Sequence, residues 1–344
     1  MTTTTTADLL VVGGGPVGLV TALHARRAGL QVVVLEPRAA PVDKACGEGL
    51  MPSALERLRR LGVDPDGRPF RGIAYADGAH RVEARFTAGP GRGVRRTTLH
   101  TALLDAARDA GVQVLPTAAD EVVQGPGWVR AGGVRAAWLA AADGLHSPTR
   151  RRLGLDRPSR GAARFGLRRH VRVAPWSDDV EVHWAQDAEC YVTPVADDLV
   201  GVAVLTAHRG SSWTQWMARF PAVAARVAQA EAGSDDRGAG PLRQRATRLA
   251  HGRVLLVGDA AGYVDALTGE GLAAGFAQAD ELVRAVAEGR PETYEAAARR
   301  VTRRSRGLTA GLLAATSQPW LRARLVPAAA RAPRVFGEVV DLLA

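Results

Sequence analysis

Gly13, Gly15 and Gly18 stand in a G-x-G-x-x-G spacing, and an acid, Glu36, follows 18 residues after the last of them. An apolar run at residues 8–12 precedes the glycines. A helical stretch starts at Pro16 and runs to about residue 28, with Gly29 placed to end it, and a second apolar run fills 31–35. The order is strand, turn, helix, strand, acid, and it serves the holding of a dinucleotide. Gly13 makes the tight turn, Gly15 lets a pyrophosphate approach the backbone, and Gly18 lets the helix pack on the strand. The helix start offers free N–H groups and the positive end of its dipole to phosphate. Glu36 can accept ribose hydroxyls, and an acid there argues against a 2′-phosphate. Arg38 and Lys44, just beyond, are assigned to the same ligand. The unit alone does not separate one dinucleotide from another.

Three further stretches carry chemistry-bearing residues. In WLAAADGLHSPTR, residues 138–150, Asp143 and Gly144 end a strand, and Ser147 and Arg150 open a helix. In GRVLLVGDAAGYVDALTGEGL, residues 252–272, a buried strand at 254–257 ends in Gly258 and Asp259. A loop of small residues follows, then a helix from about Gly271. DKACGEGL, residues 43–50, holds Lys44, the chain's single lysine, and Cys46, one of its two cysteines. Two glycines, Gly47 and Gly49, flank the acid Glu48.

GGGPVG, ADGLHSPTR and VGDAAGYVDALTGEGL, in that order, resemble the three fingerprints of the FAD-dependent aromatic hydroxylase superfamily, the group A flavoprotein monooxygenases. RRTTLHTALLDAA, residues 95–107, resembles a fourth shared element. The resemblance covers about residues 7–300. It implies that Gly13, Gly15, Gly18 and Glu36 hold the ADP half of FAD. It places Arg96 on the ribityl or phosphate portion, Asp143 near the pyrophosphate and Asp259 on the ribityl chain. The helix after Gly269 would point its N-terminus at the isoalloxazine. Reduced flavin is anionic, and a helix N-terminus stabilises an anion by about 0.3–1 kcal/mol. CGEGL and LTGEGL also resemble the geranylgeranyl reductases, flavoenzymes of the same fold in which the early cysteine sits beside the flavin. No W-x-W-x-I-P segment is present, so a flavin halogenase is disfavoured.

These residues require an α/β fold: a Rossmann-like FAD-binding domain with an inserted, mainly antiparallel β-sheet substrate domain and C-terminal helices. Residues 1–72, 94–158 and 246–310 are assigned to a discontinuous FAD-binding domain. Residues 73–93 and 159–245 are assigned to the substrate domain, and 311–344 to a C-terminal helical tail. Alternating stretches at 164–175, 180–186, 188–198 and 199–208 read as the antiparallel sheet, and a strand pair at 72–78 and 80–88 joins it. A helical insertion is expected at 212–232 and a loop at 233–241. The tail reads as amphipathic helices broken at Pro319 and Pro333. Packing on the flavin lobe is its expected role; covering the pocket or touching a membrane surface stays open. In the resembled family the sheet roofs a pocket over the flavin. The pocket candidates are His170, His183, Trp184, Tyr191 and Pro194, with the sheet's solvent face as the alternative place for each histidine.

Composition narrows the classes. The chain has 344 residues and a net charge of +10; lysine and arginine total 45, so 45 − 1 = 44 are arginine. The arginines are scattered, so nucleic-acid binding is not expected. Two cysteines make no disulfide framework and point to a reducing, cytoplasmic setting. No metal site is read. The start, MTTTTTADLLVV, lacks the basic region of a signal peptide, and its threonine run is expected to be a disordered tip. No uncharged apolar run is long enough to span a membrane. The oligomeric state is not set by the sequence.

Two reactions fit the resemblance. In monooxygenation, NAD(P)H visits transiently, since no second G-x-G-x-x-G is present. O2 is activated as the flavin C4a-hydroperoxide, and a hydrophobic, phenolic or polyketide-type substrate is hydroxylated or epoxidised. Asp265, Tyr191 or His170 are candidates for deprotonating a phenol. In ene reduction or dehydrogenation of a lipid-like double bond, Cys46 or Asp265 would supply the proton. Cys46, Asp265 and Tyr191 are therefore the catalytic candidates.

Overall fold

Runs such as LLVV at residues 9–12 and VVVL at 32–35 are buried along their whole length, as parallel strands covered on both faces must be. The computed structural model describes residues 5–159, 161–209 and 212–343. Five parallel strands lie in the order Val254–Leu256, Val134–Ala141, Thr5–Val12, Val32–Leu35 and Gln113–Leu115. The strand Ala250–His251 closes one edge antiparallel, and the hairpin of Val123–Gly125 and Trp128–Ala131 pairs antiparallel onto Val134–Ala141.

The strand order reverses at Thr5–Val12. The chain leaves it through the helix Pro16–Arg27 toward Val32–Leu35 on one side, and later strands add on the other. A reversal of this kind opens a crevice at the carboxyl ends of the strands. The register makes the crevice chemical. Val12 pairs with Leu35 and with Ala141, and Ala141 pairs with Leu256. The residues that follow these four strands, Gly13, Glu36, Ala142–Asp143 and Val257–Asp259, therefore emerge along one rim. Stretches more than a hundred residues apart in sequence meet there.

The second sheet runs Arg81–Arg85, Gly72–Ala76, Val180–Trp184, Ala188–Ala196, Leu199–Thr206, Phe165–Arg172. Its pairs are antiparallel except Gly72–Ala76 with Val180–Trp184, so the early strand pair does join it. Two edges differ from expectation. The insertion at 212–232 is helical only over Trp213–Met217 and Pro221–Val227; Glu231–Ala232 returns as an edge strand on Phe165–Arg172. The expected loop at 233–241 contains the strand Arg237–Ala239, paired to the same neighbour. Glycine-rich polar sequence can serve an edge strand because only one side of it is hydrogen-bonded.

The threonine run also differs. Thr5 and Thr6 begin the first strand, paired with Val134 and Arg135, whereas residues 1–4 lie outside the described residues. The tail forms helices Pro319–Arg331 and Pro333–Asp341, each opening on the proline expected to break it. They pack on the second sheet rather than on the flavin lobe. Val326, Phe336, Val340 and Leu343 join one apolar cluster with Ile73, Tyr75, Val182 and Trp184. Arg322 fixes the contact with an ion pair to the fully buried Glu189 at 2.6 Å and hydrogen bonds to the Ala185 and Ala188 carbonyls at 2.7 Å.

Candidate active site

One cavity of about 320 Å³ starts at the switch-point crevice and continues beneath the second sheet. Its crevice end is built from backbone. Gly15 caps the helix Pro16–Arg27 with no side-chain hydrogen bond, and Gly15, Pro16 and Val17 of this first turn line the cavity, where a helix start leaves backbone N–H groups without intrahelical partners. Gly18 is required by packing: a Cβ there would overlap the Gly13 carbonyl oxygen. The helices Arg96–Asp109 and Gly271–Ala287 also begin at the cavity wall, where Arg96, Gly269, Gly271 and Leu272 line it. Three helix N-termini converge on one space, an arrangement suited to a diphosphate and an anionic ring.

Side chains complete the charge pattern. Arg38, Lys44 and Arg96 line the cavity with Asp143, Gly144 and Asp259. Arg96 Nε and Asp143 Oδ1 are buried with no partner, while Asp143 Oδ2 accepts the Thr149 N–H at 2.9 Å. Unpartnered buried polar atoms on a cavity wall call for a polar ligand. Burial pushes the Asp259 carboxyl up, and the Lys44, Arg96 and Arg150 charges pull it back. Burial likewise lowers Lys44, offset by Asp259. Glu36 accepts the Gly14 N–H at 2.9 Å and is bridged by Arg38 through two bonds of 2.7 Å. Burial would raise it, but the Arg38 and Gly14 hydrogen bonds outweigh that and hold it below the usual carboxylate range. The residues present thus fit a dinucleotide: cationic and N–H groups for the diphosphate, and Glu36 at the neighbouring strand end.

Gly13, Gly18, Glu36 and Gly258 stand behind this wall and shape it, while Gly15, Pro16, Arg38, Lys44, Arg96, Asp143, Gly144, Asp259, Gly269 and Gly271 line it. Arg150, in the second fingerprint, organises the rim. It is fully buried, donates to the Ala260, Asp259 and Leu145 carbonyls at 3.0, 3.3 and 3.0 Å, and pairs with Asp156. It thereby ties the second fingerprint to the third.

The stretch DKACGEGL crosses between the two ends of the cavity. Cys46 lines it, and its sulfur accepts the Glu48 N–H at 3.4 Å. Burial pushes the Cys46 thiol up, although Arg96 pulls it down, so the neutral thiol is the form present at neutral pH. Glu48 has φ 60, a left-handed conformation that costs a non-glycine residue about 1–2 kcal/mol. Its carboxylate repays that strain. One oxygen accepts the Arg96 N–H at 2.8 Å, and the other lies 2.5 Å from His170 Nε2. His170 Nδ1 is 2.8 Å from Ser234 Oγ, and the neighbouring Arg168 pairs with Asp43. In this stretch the sequence singles out Lys44, Cys46 and the glycines, but not Glu48. A buried glutamate facing a histidine 122 residues away has no local signal.

The far end is apolar: Met51, Phe70, Ile73, Val182 and Leu205 line it, with Leu343 from the tail. Tyr191 lines it too and donates to the Leu267 carbonyl at 2.8 Å. The other pocket candidates lie elsewhere. His170 is buried against Glu48 rather than on a solvent face. His183 faces a separate hollow and pairs with Glu181 at 2.9 Å, because strand alternation turns it from the cavity that Val182 lines. Trp184 packs against Tyr75 with ring centroids 5.3 Å apart. Pro194 is buried in the sheet, with the backbone of Gly93 against its carbonyl. Asp265 stands behind the wall; Arg164 holds it at 2.9 Å and Glu189 at 2.7 Å. Burial pushes the Asp265 carboxyl up and Arg164 draws it back. Among the described residues no group of side chains is arranged to hold a metal ion, and no helix is long and apolar enough to cross a membrane.

The sequence profile of the FAD binding domain family matches residues 6–302. A menaquinone reductase of Mycobacterium tuberculosis is 34% identical over 164 residues, 43% of this chain and 40% of that protein. A dialkyldecalin synthase of Streptomyces rugosporus is 28% identical over 309 residues, 80% of this chain and 64% of that one. A 3-(3-hydroxy-phenyl)propionate/3-hydroxycinnamic acid hydroxylase of a Mycobacterium species is 30% identical over 172 residues, 44% and 30% of the two chains. Each match spans less than two thirds of the curated relative. A flavin-dependent brominase shares the fold, with a TM-score of 0.82, 17% identity and coverage of 98% and 93%. The chain belongs to the FAD binding domain family, the group A flavoprotein monooxygenase class, and FAD is the cofactor its cradle takes.

Proposed function

We propose that this member of the FAD binding domain family is a monooxygenase that uses NAD(P)H and O2 to hydroxylate or epoxidise a hydrophobic, phenolic or polyketide-type substrate. One observation carries the reading: the phosphate cradle and the apolar chamber are a single cavity, with Leu343 of the tail among its apolar lining. For hydroxylation the balance is substrate C–H, O2, NAD(P)H and a proton giving C–OH, water and NAD(P)+. FAD, when bound, would accept two electrons from NAD(P)H and deliver them to O2. Everything else falls to the chain. Arg38, Lys44 and Arg96 hold the diphosphate. The N-terminus of Gly271–Ala287 supplies positive potential at the chamber's floor. Phe70, Ile73 and Val182 exclude water and orient the substrate.

The candidate bases are all engaged: Asp265 by Arg164, His170 by Glu48, and Tyr191 as a donor to Leu267. The chamber therefore favours substrates already electron-rich over those that need a free side chain to deprotonate them. Anaerobic and aerobic turnover of an alkyl-substituted phenol with NAD(P)H tests the reading. Hydroxylated product is expected only with O2, and equal product without O2 would reject it.

A second reading, ene reduction, is favoured by one group: a neutral thiol, Cys46, on the cavity wall. Similarity to a menaquinone reductase supports it. The same pair of incubations, run with a prenylated quinone, separates the two.

A further inference from the structure

The tail helices bury one apolar stripe and expose another. Phe336, Val340 and Leu343 turn inward against the second sheet. Val335, Val339 and Leu342 follow the same helix at i, i+4 and i+7 and are 59%, 41% and 42% exposed. Trp320, on the preceding helix, is 58% exposed. Among the described residues these four are the large hydrophobic side chains left open to solvent, and all lie between residues 320 and 342. A helix apolar on two sides needs two apolar surroundings, and the fold supplies one.

The charge around the outer stripe says what the other is. Arg331 and Arg334 are exposed beside it, and the Arg324 guanidinium lies over the Trp320 ring at 5.7 Å. Arg322, by contrast, is turned inward to Glu189. Of the two acids, Glu338 is exposed and Asp341 accepts the Thr87 N–H at 2.9 Å. An apolar stripe flanked by arginines, with an indole at its end, matches the boundary between acyl chains and anionic headgroups. The stripe also ends next to a residue of the cavity wall. Leu343 lines the chamber, and Leu342, one residue before it, faces out.

We propose that the outer face of the helices Pro319–Arg331 and Pro333–Asp341 docks on an anionic lipid bilayer, bringing Leu343, which lines the chamber, close to the membrane surface from which a hydrophobic substrate is drawn. The substrate part rests on the proposed function; the docking does not. The test is co-sedimentation of the flavin-loaded protein, with no substrate present, with vesicles of phosphatidylcholine plus phosphatidylglycerol, and with phosphatidylcholine alone. Binding is expected to the anionic vesicles and to weaken at high salt. Replacing Val335, Val339 and Leu342 together by Ser should lower the partition coefficient at least tenfold, roughly the loss of a few buried methylene equivalents. R331Q and R334Q should lower it about fivefold each. All these side chains are exposed, so flavin absorbance and far-UV circular dichroism should be unchanged. Protein that stays in the supernatant with anionic vesicles, or a triple variant that binds like the parent, overturns the proposal. So does a parent that fails to bind vesicles but is a dimer by light scattering and becomes a monomer in the triple variant, which would make the face a contact between copies of this chain.

Discussion

The two ends of the cavity are made of different material. The cradle is backbone: glycines, helix N-termini and strand ends fixed by register, with a few charges added. The chamber is side chains from the second sheet, the stretch 43–50 and the tail, locked by ion pairs such as Arg164 with Glu189 and Asp265. A site of backbone tolerates few substitutions at its glycines and none of its geometry can be swapped. A site of apolar side chains can be rebuilt from other apolar residues. The family can therefore keep the cofactor end and vary the chemistry at the other.

The comparison breaks first at Gly18. Gly18→Val places a side chain on the Gly13 carbonyl, so the variant should retain no FAD. The ratio of flavin to protein absorbance reads this, and a yellow, stoichiometric variant would remove the backbone argument. In the chamber, Arg164→Met removes the ion-pair partner of the buried Asp265, which keeps only the Leu267 N–H, and leaves one oxygen of Glu189 without a cation. Breaking a buried pair this way costs about 3–5 kcal/mol, which denaturant unfolding of the flavin-loaded protein would show. Between the two lies Glu36→Ala, which removes a charged acceptor from the cradle and should weaken FAD about 10–100-fold by titration of the apoprotein.

These cases show what was legible in the sequence. The G-x-G-x-x-G turn, Asp143 and Asp259 could be read because only particular residues satisfy the positions that follow each strand. Fold class followed from them. The chamber could not be read so. His183 and Val182 differ by one residue, and which of them faces the cavity depends on a register no local pattern states. Glu48 was hidden because its partners, Arg96 and His170, come from two other elements. The tail's helix breaks were legible at Pro319 and Pro333, but its docking partner was not, since amphipathicity does not say which apolar surface is met.

Smaller effects sharpen the boundary between the ends. Burial raises Glu270, just before the helix Gly271–Ala287, from 4.5 to about 7, with Thr268 pulling it back. An acid raised on folding stabilises the folded state below its unfolded pKa and loses that contribution as pH rises through the folded value. The thermal midpoint should therefore decline between about pH 4.5 and 7, and Glu270→Gln should flatten the decline. Cys46→Ser is the smallest expected change. If hydroxylation is the reaction, turnover should stay within about twofold, whereas loss of a general acid would lower it about 100-fold or more.

The most direct measurement is the fate of oxygen. The flavin-loaded protein, NAD(P)H and an alkenyl-substituted phenol are incubated under isotope-labelled O2, and the product is read by mass spectrometry. Monooxygenation places one labelled oxygen in the product and gives none anaerobically. A product that lacks the label and gains two hydrogens, formed equally well without O2, would contradict it.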